Sequence, residues 1–450
     1  MTKSVCLRPD LISSPMELFL SLPQNIKNLC FLTSDGSESS RWSILAWHPD
    51  HILSYNGSQV FLDNEIQNQS LKQTIHTLHK KRKRDEKYDI PFIGGGIGAI
   101  DYEYGYELLD LPYKHDGSSL VEYLFFDNAL VYDHQKNTWY EVGNCQLSPT
   151  PVGMRRGGSL QEVQTDLEPQ WDKQSYVDHF QTIHENIRLG EIYQACLTFP
   201  FKTNPFEDPR EAFAQMYLQN PSPMASYLEL PSRTILSLSP ERFFHWDGNR
   251  METKPIKGTR KRSSNPVEDK NAQEELLSDQ KEQAELSMIT DLLRNDLSKI
   301  SKSGSVQVLQ HRSLQKLPKV WHTYSHIQSE TKEGIQPWDI IEAMFPGGSI
   351  SGCPKRRAVK LLADVEDYRR GIYTGSIGYL SDDGKMDQSI VIRTMEQFHD
   401  TLQCSFGGGI VFDSTPESEY EECFAKSQTF SCSPVHPPQS GQASQRTEIG

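Results

Sequence analysis

The 450-residue chain has no excess of positive charge. It carries 46 Lys and Arg against 60 Asp and Glu, a net charge of −14. That disfavours nucleic acid as a main partner, because phosphate binding needs a basic surface. It leaves room for one local anion pocket. No apolar run approaches the roughly 20 residues needed to cross a bilayer. The start, Met1-Thr2-Lys3-Ser4-Val5-Cys6, has no apolar segment of the kind a secretory signal carries. The eight cysteines form no CxxC pair and no regular spacing. Reduced, mostly buried thiols in a cytoplasmic protein are therefore expected. No His/Cys cluster has the spacing of a zinc site.

What is present is a soluble, globular composition, 36% apolar and 24% charged. The length suits about two to three domain-sized units. Residues 1–145 mix short apolar runs such as Phe31-Leu32, Ser43 to Ala46 and Leu130 to Tyr132 with turn signals, a pattern of antiparallel strands. The basic run Lys80 to Arg84 follows a helix-like segment, Leu71 to His79. A nuclear signal and an anion patch are both open readings, but in so acidic a chain a solvated helix end is expected. Residues 146–170, rich in Ser, Pro, Gly and Gln, read as a linker. Residues 433–450 read as a disordered tail with too little apolar surface to offset ordering entropy. Residues 171–432 hold the richest patterning, with amphipathic helices over 175–189 and 267–297. Strands and helices follow no regular βαβ alternation, so the expected class is α+β with large antiparallel sheets.

Glu282 and Glu285, and again Glu419 and Glu422, sit three apart on helix-like segments. Residues three apart share a helix face. Two such faces brought together make a four-carboxylate cluster that a hard cation such as Mg²⁺ would neutralise. Two solvated helix faces would look the same. Lys257, in Pro255-Ile256-Lys257-Gly258-Thr259, is locally constrained. A lysine is a nucleophile only when neutral, which burial or a nearby cation favours; an exposed turn lysine is the commoner case. Gly347 to Gly352 and Gly407-Gly408-Gly409 can present backbone N–H groups to an anion, although neither has P-loop spacing. Gly94 to Gly98 lacks the spacing and βαβ setting of a dinucleotide turn. Arg393 could clamp a carboxylate or serve the fold.

In order along the chain, these segments resemble the chorismate-binding family, which includes anthranilate, aminodeoxychorismate, isochorismate and salicylate synthases. The resemblance runs strongly over about residues 170–432. It rests on Gly190 to Gln194, Leu238 to Phe243, Pro255 to Thr259, Glu282 to Glu285, Asp291 to Asp296, Phe345 to Lys355, Gly375 to Tyr379, Ile392 to Thr394 and Gly407 to Glu422. It implies two facing antiparallel sheets with helices outside and a site in the cleft between them. Within the family, isochorismate and salicylate synthases carry a lysine base where this chain has Gln194, and anthranilate synthases usually carry alanine where it has Lys257. The Gln194–Lys257 pairing resembles the aminodeoxychorismate synthase branch.

The resemblance further implies Mg²⁺ at Glu285 and Glu422, with Glu282 and Glu419 close by. It implies Lys257 as nucleophile and Glu241 as general acid. Gln194, His322, Ser351, Tyr373, Arg393 and the Gly407, Gly408 and Gly409 amides would contact chorismate. With no glutaminase domain in the sequence, a separate glutaminase subunit in a heterodimer is expected to supply ammonia. Ser40, Pro223 and Met224 match segments that line a tryptophan pocket. Gly98 to Glu103 departs from the usual family pattern. Two alternatives stand: anthranilate synthase component I, and a non-catalytic regulator that binds chorismate or tryptophan.

Overall fold

The computed structural model describes residues 4–37, 40–84, 88–113, 115–145, 165–316 and 320–430. Most of the expected linker, 146–164, and all of the expected tail, 433–450, lie outside them.

Two 12-stranded sheets, antiparallel at every pairing, face each other. The first sheet takes Val5–Arg8, Cys30–Thr33, Trp42–Ala46, Ala129–Asp133 and Thr138–Val142 from the N-terminal region, and joins them to Met224–Glu229, Thr234–Ser239, Thr394–Gln397, Leu402–Ile410 and Gln194–Thr203. The second likewise sets Gly95–Ile100 beside Ser376–Ser381. N-terminal and C-terminal segments thus share hydrogen bonds in both sheets.

The strands alternate between two buried faces. Ile44 and Ala46 point into the space between the sheets while Leu45 points outward, and Leu124 and Phe126 alternate in the same way with Tyr123 and Phe125. Side chains of a strand alternate faces with period two, so near-continuous apolar runs build three core layers from two sheets. Helices cover both outer faces. Lys173–Arg188, Pro209–Gln219 and Pro416–Ser427 pack on the first sheet. Leu71–Arg82, Gln280–Ile300 and Pro337–Met344 pack on the second. This is the α+β architecture expected from the sequence.

Two local expectations change. The helix read over 267–297 is two helices, Pro266–Ser278 and Gln280–Ile300. Asp279 breaks it with an extended backbone, and its carboxylate caps the second helix by accepting from the Glu282 amide at 3.1 Å. The basic run ends a helix, but not a fully solvated one. Arg82 bonds the Phe126 carbonyl and pairs with Asp127 and the buried Asp382. Gly95–Ile100 is a strand between antiparallel neighbours, and a Cβ at Gly98 would lie 2.1 Å from the Glu122 carbonyl oxygen. Close packing explains that glycine without a nucleotide.

Candidate functional site

The chain crosses between the two sheets twice at one place. Thr234–Ser239 in the first sheet leads through Pro240 and Glu241 to Arg242–Trp246 in the second. Met386–Ile390 in the second leads through Val391 to Arg393 back to Thr394–Gln397 in the first. The crossings are tied together: the Ile390 amide donates to the Glu241 carbonyl at 3.0 Å, and the Leu238 amide to the Arg393 carbonyl at 2.9 Å. Glu241 and Arg393 are therefore fixed where the inter-sheet cleft opens.

Lys257 lies on Ile256–Lys261, at the edge of the second sheet. Gly258 adopts φ +74° and forms a bulge opposite Thr323 and His322. An L side chain is strained at that φ, and a bulge redirects its neighbours. The Glu282 carboxylate lies over Gly258, where an added Cβ would come within 3.1 Å of its Oε2. Lys257 Nζ is 3.5 Å from Glu285 Oε2. Across the cleft, the Glu419 carboxylate lies over Gly408, 2.7 Å from where a Cβ would be, and accepts from Ser414 Oγ at 2.7 Å. Lys281 reaches from the first acidic helix to within 3.8 Å of Glu419. Lys426 pairs with Glu422 at 2.7 Å.

Glu282, Glu419 and Glu422 each respond to a pair partner or to nearby lysines. Burial, then the charge of Glu285, raises the Glu282 carboxyl above its ordinary value. Burial also raises Glu419, with Glu422 adding to it. Burial alone would raise Glu422, but Lys426, Lys281 and Lys257 hold it below its ordinary value. Among the described residues no three His, Cys, Asp or Glu side chains are close enough together to hold a metal ion. Lysine ammonium groups are the cations that Glu285, Glu419 and Glu422 approach. All-oxygen donors in two carboxylate pairs, joined at one point by the 3.8 Å approach of Lys281 to Glu419, are of the chemical type that a hard cation takes.

Burial raises Glu241 to about 7, against lesser opposing effects of Lys257 and of a 3.2 Å hydrogen bond from Ser349 Oγ. A carboxyl in that state can give a proton near neutral pH. Arg393 has φ +51° and, among the described residues, no carboxylate partner. Its side chain is exposed to water, while the surrounding protein lowers its pKa. An exposed guanidinium with no carboxylate partner among the described residues can pair with an incoming anion.

Gln194 opens the strand Gln194–Thr203, and its amide nitrogen lies 2.3 Å from where a Gly409 Cβ would be. Its buried Oε1 has no protein partner among the described residues. Gly407 to Gly409 continue past the last rungs that Thr394–Gln397 forms with Leu402–Cys404, so one backbone edge of the triplet has no strand partner among the described residues, and the Gly407 carbonyl accepts from Lys426 Nζ at 2.8 Å. His322 Nδ1 faces the Gly258 carbonyl at 3.2 Å and Thr259 Oγ1 at 2.8 Å. Since a carbonyl only accepts, Nδ1 carries the hydrogen; burial keeps the ring neutral, helped by Arg393, and leaves Nε2 an acceptor.

Ser351 is fully buried, and its hydroxyl donates to the Gly347 carbonyl at 2.8 Å. Tyr373 is buried beside Cys196, and burial holds its phenol far above the ordinary value. Ser40, Pro223 and Met224 line a separate inter-sheet cavity with Thr33, Trp42 and Tyr379, in which Ser226 Oγ has no partner among the described residues.

Sequence reasoning passed over Ser349, Lys281 and Lys426. Lys426 was the readable one, four residues after Glu422 on one helix face. Ser349 lies two residues from Ser351, and only the fold shows which hydroxyl meets Glu241.

Residues 28–431 match the family model described as chorismate binding enzyme. The chain is 37% identical over 350 residues to aminodeoxychorismate synthase component 1 of Escherichia coli (strain K12), covering 75% of this chain and 76% of that protein. It is 34% identical over 367 residues to anthranilate synthase component 1 1 of Haloarcula marismortui, covering 75% of each. Its fold matches the crystal structure of anthranilate synthase component I from Streptococcus pneumoniae TIGR4 with a TM-score of 0.77 at 25% identity, covering 95% of this chain and 99% of that one. The chain belongs to the chorismate binding enzyme family.

Proposed function

We propose that the protein is an aminodeoxychorismate synthase component I, which replaces the C4 hydroxyl of chorismate by ammonia through a covalent bond to Lys257. The observation that carries this reading is the placement of Lys257 in the cleft, 3.5 Å from Glu285, with its charge felt by Glu241. The position of the water-activating lysine is filled by Gln194, which cannot act as a base.

Arg393 and the open edge of Gly407–Gly409 hold the substrate carboxylates, and the Gln194 amide and His322 Nε2 offer further polar contacts. The neutral Lys257 amine attacks C2, the ring double bonds shift, and the C4 hydroxyl leaves with the proton of Glu241. Ammonia then adds at C4, the double bonds shift back and the Lys257 amine departs, leaving 4-amino-4-deoxychorismate with its enolpyruvyl group intact. Splitting one hard substitution into two allylic ones is what a covalent nucleophile supplies. Glu285 and Glu422, with Glu282 and Glu419, are the residues that would hold Mg²⁺. When bound, the ion supplies charge for the ring carboxylate. Component 1 in the names of the relatives, together with the need for ammonia, supports a separate glutaminase subunit. The product would feed 4-aminobenzoate and folate synthesis in the cytoplasm. The inter-sheet cavity lined by Ser40, Pro223 and Met224 would be the tryptophan pocket.

The test is a product assay. Protein, chorismate, Mg²⁺ and ammonium are incubated at mildly alkaline pH and resolved by chromatography with mass detection. Aminodeoxychorismate without pyruvate supports the reading. Anthranilate with pyruvate would make the protein an anthranilate synthase. No turnover, with or without a glutaminase subunit, would favour a binding protein.

A further inference from the structure

We infer that Ser349 is a positioning residue for Glu241: its hydroxyl donates to Oε1 and so leaves the transferable proton on Oε2, facing the substrate's leaving hydroxyl. The inference rests on the reading of Glu241 as the general acid.

The geometry is local and specific. Glu241 and Ser349 line one small cavity with Gly347, Gly348, Thr253, Pro255, Leu293 and Ile390. Ser349 sits mid-turn in Gly348–Ile350, with its Oγ 3.2 Å from Glu241 Oε1. That turn is closely packed. A Cβ at Gly348 would lie 2.4 Å from the Leu292 side chain, and one at Gly347 would lie 2.5 Å from the Ile390 side chain. Ser351, the other hydroxyl of the segment, is spent on the Gly347 carbonyl and braces the turn. The Glu241 backbone is pinned too, its amide donating to Ser239 Oγ at 3.3 Å and its carbonyl accepting from Ile390.

A protonated carboxyl has one hydrogen and two places to put it. When one oxygen accepts a hydrogen bond from a fixed donor, the proton resides on the other. Proton transfer requires hydrogen-bond reach in a set direction. The charged or titratable group acting on Glu241 is Lys257, on the edge strand of the second sheet; neighbouring Arg242 is engaged by Asp387 at 2.7 Å. The step balances: Oε2–H passes to the departing C4 oxygen, water leaves, and Glu241 remains as carboxylate with Ser349 still donating to it.

The experiment measures kcat and KM for chorismate with ammonium, between about pH 6 and 9, for wild type, Ser349→Ala, Ser349→Thr, Ser349→Cys and Glu241→Gln. Ser349→Ala should lose about tenfold in kcat, with KM nearly unchanged. Its alkaline limb should move to higher pH, because a donor to the carboxylate form has been removed. Ser349→Thr should restore both. Ser349→Cys keeps the volume with a weak donor and should behave like Ser349→Ala; it carries the test if the alanine variant does not fold. An unchanged kcat and pH limb in Ser349→Ala, with Glu241→Gln inactive, would overturn the positioning role alone. A limb moving to lower pH would also overturn it, since that reports water entering a loosened site. Activity retained in Glu241→Gln would overturn the reading of Glu241 itself.

Discussion

Lys257 Nζ lies 3.5 Å from Glu285 Oε2, within the range of an ion pair and with both side chains largely shielded from water. A lysine so placed can act as the covalent nucleophile of the proposed reaction. Lys257→Ala should lower the rate of aminodeoxychorismate formation on the order of 10³-fold or more. Chorismate binding should stay within a few-fold, because Arg393 and the glycine edge are untouched. Initial rates and equilibrium binding, measured on one preparation, check this.

Mg²⁺ should stabilise the protein. Glu282 and Glu419 are raised by burial and by a neighbouring carboxylate, so a cation between the acidic helices relieves stored repulsion. A ligand that binds only the folded state raises Tm with its concentration. Calorimetry should show a higher Tm in Mg²⁺ than in chelator, with the difference lost in Glu285→Gln and Glu422→Gln. Equal melting temperatures in Mg²⁺ and chelator would remove the metal from this account.

Glu241→Gln should trade activity for stability, in a pH-dependent way. The folded carboxyl titrates at about 7 against an ordinary 4.5. Between these values the folded state holds a proton that the unfolded chain has released, so stability falls as pH rises through this window. The penalty is complete above the folded value and absent below the unfolded one. The full shift corresponds to roughly 3 kcal/mol, and partial solvent access reduces it to about 1–2 kcal/mol. Chemical denaturation should find Glu241→Gln more stable than wild type at about pH 8 and equal to it at about pH 4. Turnover should be lost throughout.

The glycine triplet separates fold from function. A Cβ at Gly407 would lie 2.3 Å from the Leu197 carbonyl oxygen in the neighbouring strand. Gly407→Ala should therefore cost about 1–3 kcal/mol of stability. At Gly408 the obstacle is the Glu419 carboxylate, the far end of a side chain. Gly408→Ala should leave Tm within a few degrees of wild type and weaken the response to Mg²⁺. Thermal unfolding of the two variants with and without Mg²⁺ distinguishes them.

The short apolar runs between turn signals made the sheets legible, because a strand buried on both faces reads as a near-continuous apolar stretch. The acidic pairs were legible because three-residue spacing on a helix fixes a shared face. Asp279 hid its break, since the helical periodicity continues across it and only the cap reveals the boundary. The nearness of the segments that carry Glu241 and Arg393 was hidden as well. They lie far apart in sequence and come side by side because two sheet crossings share backbone hydrogen bonds, a property of topology rather than of either segment. Gln194 against Gly409, and Glu282 over Gly258, are contacts of the same kind, readable beforehand only through family resemblance.

Arg393 separates folding from binding. Its guanidinium is exposed, has a left-handed backbone beneath it, and meets no carboxylate among the described residues. An exposed charge without a partner adds little to the folded state and is available to a substrate carboxylate. Arg393→Ala should therefore leave the protein about as stable as wild type. It should weaken chorismate binding by about 10- to 100-fold, the worth of a charge-assisted hydrogen bond or two. Arg393→Lys keeps the charge but loses the planar fork, so it should recover only part of the affinity. The two variants, compared by Tm and by chorismate titration, should thus lose binding without losing stability. If Arg393→Ala instead unfolds easily and binds chorismate normally, Arg393 serves the sheet crossing and not the substrate.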